Sequence, residues 1–120
     1  DDLEERLRYL IFLDNANIKD DNLNSIIYHN IAVTYYRLYN SEVALTYINK
    51  ALNTNSKNPI SPSMLYIQSL ILFDLSDNDY IDSVDLALKK AKENDISLYN
   101  TILNKYEKIH KENPRFKLKK

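Results

Sequence analysis

Five aspartates, Asp74, Asp77, Asp79, Asp82 and Asp85, crowd one short stretch and form the densest set of potential metal-binding oxygens in the chain. The Asp77-x-Asp79 step has the spacing that opens a calcium loop, yet the Gly of its sharp turn and its closing bidentate Glu are both missing. Helix capping and a solvated helix start account for the run instead, since carboxylates accept N–H bonds and favour the positive end of a helix. His29 and His110 lie far apart with no ligand partner nearby in sequence, so imidazoles on partly exposed helix faces are expected rather than a metal site. Glu4, Glu5, Glu42 and Glu93 stand beside Arg or Lys in the pattern of solvated faces. No carboxylate pair is marked out to have its pKa values pushed apart, the condition for general acid–base work. The expectation is a protein that is not an enzyme, with no catalytic residues, no metal and no cofactor.

Two absences in the composition point the same way. The chain has no Cys, which excludes disulfides, thiolate nucleophiles and Cys-based zinc sites. It also has no Gly, where average usage of about 7% would give roughly eight in 120 residues. Phosphate-cradling loops, dinucleotide fingerprints and nucleophile elbows all need Gly, because only Gly lets the backbone turn or approach a ligand that closely. Apolar residues at 44% and charged residues at 28% are those of a globular domain, and the length suits one domain. A net charge of −1 offers no footprint for nucleic acid or for an anionic membrane. No apolar run approaches the roughly 18 residues that span a bilayer. The chain opens Asp1-Asp2-Leu3-Glu4-Glu5, with neither an initiator Met nor a leader, and is expected to be a piece of a longer protein.

The elements that position any site are helices. Apolar residues recur at steps of three and four: Leu3, Leu7, Leu10; Ile27, Ile31, Tyr35; Val84, Leu88, Ala91. This period predicts helices over 3–14, 22–39, 42–54, 62–75, 80–94 and 96–112, with a basic tail over 114–120. Ser61-Pro62 reads as an N-cap followed by a proline at the first helical position, and Ser41, Asp79 and Asp95 are expected to cap likewise. Without Gly, the left-handed residues that end helices are expected to be asparagines: Asn40, Asn58, Asn78 and Asn94. Short connections make successive helices antiparallel.

Within 25–58, Tyr28, Ile31, Ala32 and Tyr35 share one helix face, and Ala44, Ile48 and Ala51 share one on the next helix. Small residues at 32 and 44 let the two helices approach closely, while Tyr28, Tyr35 and Ile48 fill the space around the contact. This segment resembles a tetratricopeptide (TPR) repeat, a two-helix unit of about 34 residues. Ser56 stands where the consensus ends in Pro, and the nearest proline is Pro59. A degenerate second copy over 62–95 carries Leu65, Ser69 and Leu72, then Val84, Leu88 and Ala91. Helices 3–14 and 96–112 flank the two copies. The expected fold is therefore all-α, a right-handed helical hairpin array of TPR-like repeats over 1–113.

The resemblance implies a function. Opposite the buried stripe of helix 22–39 lie Ile26, His29, Asn30, Val33 and Arg37, and the TPR pattern would place them on the inner surface that such repeats use for binding. Helix 62–75 would add Tyr66, Leu70 and Phe73. Asn30 can hydrogen-bond the backbone of an extended peptide and Arg37 can pair with a carboxylate. His29 and Val33 stand where chaperone-tail recognition needs a basic residue and asparagine, so that specialised role is not expected. The texture of Tyr47-Ile48-Asn49-Lys50-Ala51-Leu52, with Leu98-Tyr99 and Tyr106-Glu107-Lys108 in the closing helix, is similar to the sensor domains of PlcR/PrgX/Rgg-like peptide-pheromone regulators of low-GC Gram-positive bacteria. That similarity implies a cytoplasmic, peptide-sensing part of a transcriptional regulator, with no direct nucleic-acid or membrane binding by this segment and homodimerisation left open. The alternative is an adaptor that holds a protein segment constitutively within a larger assembly.

Overall fold

A computed structural model describes residues 2–54 and 60–112, and the six periodic segments are helices: α1 (Asp2–Asn15), α2 (Asp21–Arg37), α3 (Ser41–Thr54), α4 (Pro62–Asp74), α5 (Tyr80–Asn94) and α6 (Ile96–Glu112). There is no strand among the described residues. Three starts follow directly from side-chain oxygens. Asp20 Oδ1 accepts the Leu23 N–H at 3.0 Å, Ser61 Oγ the Met64 N–H at 3.4 Å, and Asp95 Oδ1 the Leu98 N–H at 3.1 Å. Pro62 occupies the first turn of α4, as Ser61-Pro62 predicts. Two expected caps are displaced. Asn40, not Ser41, caps α3, with its Oδ1 accepting the Val43 N–H at 3.3 Å while Ser41 is buried as the first helical residue. Asp79 makes no side-chain cap, because its backbone is already helical at φ −64° and ψ −11°. Asp77 instead accepts the Asp79 N–H at 2.9 Å and shapes the turn one step earlier.

The left-handed residues are also not the expected asparagines. Among the described residues, positive φ occurs at Asn17 (55°), Tyr39 (62°) and Ser76 (57°). Tyr39 ends α2 in a Schellman motif: the Asn40 N–H reaches the Tyr35 carbonyl at 2.9 Å and the Tyr39 N–H the Tyr36 carbonyl at 3.1 Å. Ser76 repeats it after α4, with Asp77 N–H to Leu72 O at 2.9 Å and Ser76 N–H to Phe73 O at 3.0 Å. The last turn that packing can hold fixes where the reversal falls, and whichever residue stands there adopts the conformation. Asn40 is one place too late and serves as a cap; Asn94 lies within α5 and donates its side-chain amide to the Lys90 carbonyl at 3.2 Å. Asn78 sits in the turn before α5 without positive φ. Asn58, Ser56, Pro59 and the tail over 114–120 lie outside the described residues.

The chain divides into two units, Asp1–Ile60 and Ser61–Lys120. In the first, α2 packs against both α3 and α1. Ala32 and Ala44 are fully buried, together with Ile31, Ile48 and Ala51, as the small-residue contact between α2 and α3 requires. Leu10 of α1 joins Ile27 and Ile31 in a cluster rimmed by Leu7, Leu13, Ile18, Tyr28, Tyr35 and Tyr47. The Ser25 hydroxyl donates to the Ala51 carbonyl at 2.8 Å and so ties the start of α2 to the last turn of α3.

In the second unit α5 packs against α4 and α6. Ser69, Val84, Leu88 and Ala91 are buried there, at the positions the degenerate copy assigns to its core. Tyr106 of α6 is buried and donates to Ser69 Oγ at 2.7 Å, and that hydroxyl donates in turn to the Tyr66 carbonyl at 2.6 Å. Ser83 of α5 donates to Gln68 Oε1 of α4 at 2.7 Å. No buried side-chain nitrogen or oxygen among the described residues lacks a hydrogen-bond partner.

Candidate peptide-binding face

Because α2 packs on two neighbours, its buried sector is wide. Ser25, Ile27, Ile31, Ala32 and Thr34 are all buried, and Thr34 returns its hydroxyl to the Asn30 carbonyl at 2.8 Å. The remaining sector carries the expected stripe. Asn30 and Arg37 are exposed, His29 and Val33 are half-buried, and Ile26 is 44% exposed. Leu23, three residues before Ile26 and 41% exposed, extends this apolar edge to the first turn of the helix. The i, i+3 step from Leu23 to Ile26 was available in the sequence as the signal for it.

The electrostatics of the face are simple. Burial lowers the pKa of His29 from its ordinary 6.5, so at neutral pH the imidazole is uncharged and both donates and accepts. Arg37 lies in the last turn of α2, where a cation complements the negative end of the helix. The face thus offers apolar area from Leu23, Ile26 and Val33, a neutral imidazole, a carboxamide and one guanidinium.

Tyr66, Leu70 and Phe73 lie on α4, within the second unit, and all three are half-buried. Tyr66 meets Tyr106 edge-on, with centroids 6.5 Å apart, and Phe73 tilts onto Tyr80 at 5.1 Å. Tyr80 stacks on Tyr106 at 6.3 Å, so the two α4 rings belong to an aromatic row that locks α4, α5 and α6 together. His29, Asn30, Val33 and Arg37 come together on α2, as Tyr66, Leu70 and Phe73 do on α4.

Asp77 is engaged with the Asp79 N–H, and no group of three His, Cys, Asp or Glu side chains among the described residues is arranged to hold a metal ion. The His110 side chain lies outside the described residues. None of the described helices is long and apolar enough to cross a membrane. Compared with known proteins, the chain matches no family model, no curated protein and no solved structure.

Proposed function

We propose that the chain is a non-catalytic binding domain built from TPR-like helical hairpins, and that the open face of α2 takes an extended peptide or protein segment. One observation carries this reading: the stripe of Ile26, His29, Asn30, Val33 and Arg37 is left uncovered or half-covered on a helix that buries Ser25, Ile27, Ile31, Ala32 and Thr34 elsewhere. Peptide grooves combine apolar area with a few directed polar groups, and this stripe has that composition. The buried Ala32 and Ala44, with tyrosines around them, support the TPR-like form of the hairpin. Tyr66, Leu70 and Phe73 are the corresponding residues of the second hairpin in the same proposal.

In its narrower form the ligand is a short secreted peptide and the domain is the sensor of a transcriptional regulator, as the resemblance to pheromone regulators implies. A screen of short apolar peptides by thermal shift tests it. A ligand at a hundredfold excess over its Kd stabilises the folded chain by about 2.7 kcal/mol. The expected result is a binder whose effect disappears in Asn30→Ala and in Arg37→Ala. A panel without any binder, alongside a longer protein segment that does bind through the same residues, turns the reading to the constitutive adaptor.

A further inference from the structure

Lys50 is exposed on α3, and its ammonium lies 4.7 Å from the centroid of the Tyr28 ring and 5.7 Å from that of Tyr47. Tyr28 and Tyr47 are 6.2 Å apart and tilted by 43°, and Tyr35 stacks on Tyr47 at 5.9 Å. All three rings pack against the Leu10–Ile27–Ile31 cluster, so the core holds them in place whether or not Lys50 is present. Burial first, and then the Asp14 charge, raises the pKa of both Tyr28 and Tyr47. Two negative ring faces therefore converge where a cation already sits.

We infer that the faces of Tyr28 and Tyr47 form a binding site for a methylated ammonium group, and that Lys50 is its displaceable internal occupant. A lysine ammonium is compact and strongly hydrated, so on an exposed surface it gains little from ring faces. Holding the long Lys50 stem over the rings also costs rotamer freedom. A methylated ammonium has no such attachment to water and spreads its charge over CH groups that fit against an aromatic face. Trimethyllysine side chains and free quaternary amines share this chemistry. The site lies on a different sector of α2 from Asn30 and Arg37 and does not depend on the peptide reading.

The test uses the full chain and its Lys50→Ala variant. Each is titrated with Nα-acetyl-trimethyllysine methylamide, with tetramethylammonium, and with the neutral tert-butyl analogue of the former, while the methyl protons are followed by NMR. Ring currents should move the cationic methyl signals upfield in a saturable way. Binding should be about tenfold tighter in Lys50→Ala, a difference of about 1.4 kcal/mol. Tyr47→Leu should abolish binding. Tyr47→Phe, which keeps both the ring and the packing, should retain it. Tighter binding of the lysine derivative than of tetramethylammonium identifies a side chain as the ligand, and equal binding identifies a free amine. No saturable shift in Lys50→Ala, or equal binding of the neutral analogue, overturns the inference.

Discussion

Tyr39 ends α2 in the left-handed region with its ring 96% exposed. A residue with a Cβ gives up about 1–2 kcal/mol there, and an exposed ring recovers none of it through packing. Tyr39→Gly should therefore stabilise the chain by about 0.5–1 kcal/mol, after allowing for the extra freedom of Gly in the unfolded state. Chemical denaturation measures it, and a neutral or destabilising result would mean that Tyr39 makes a contact in solution. At this scale the sequence misleads for a physical reason. Asparagine tolerates the left-handed region better than tyrosine does, but residue preference is worth less than a turn of packed helix. His29 gives a second prediction. Its pKa is lowered in the folded chain, so the unfolded chain takes up the proton first as pH falls. Its contribution is complete above its ordinary 6.5 and is lost as pH falls through the depressed folded value. Equilibrium unfolding between pH 7.5 and 5 should show a steeper loss of stability in the wild type than in His29→Gln. Parallel curves would contradict the burial of the imidazole.

Helices are where the sequence is most legible, because period and punctuation agree. Steps of three and four mark α1, α2 and α5, while α4, apolar almost all round, is fixed at its start by Ser61-Pro62 through both a cap and a proline. The small pair Ala32 and Ala44 is legible for the same reason: a close helix contact admits nothing larger. Ala32→Leu should destabilise by about 1–3 kcal/mol in chemical denaturation through overpacking, and a neutral effect would put Ala32 outside the contact. The caps separate just as cleanly. Asp20→Ala should cost about 1 kcal/mol, whereas Asp79→Ala should stay within about 0.5 kcal/mol, since only Asp20 bonds a helical N–H. Equal losses in the two variants would contradict the observed cap geometry. What the period hides is anything that needs a partner far along the chain. Ser25 looks like a solvated residue until the Ala51 carbonyl is beside it, and Tyr106 like a half-exposed one until Ser69 is.

Across the whole chain, the division into Asp1–Ile60 and Ser61–Lys120 separates two three-helix units, each with a buried core of its own. The candidate face was legible because α2 has more apolar and tyrosine positions than one neighbour can cover, and angle alone sorts Ile26, His29, Asn30, Val33 and Arg37 to one side. Leu23 falls in the first turn of α2, where period carries least information. The width of the buried sector is less legible, since Thr34 is buried on a helix that packs against two neighbours. The claim that matters most is that this open sector of α2 receives a peptide. It is tested most directly by following backbone and side-chain NMR signals of the labelled full chain while a peptide selected by thermal shift is added. The account predicts saturable shifts centred on Ile26, His29, Asn30, Val33 and Arg37, lost in Asn30→Ala. Shifts centred elsewhere, with those five residues unmoved at saturation, would contradict it.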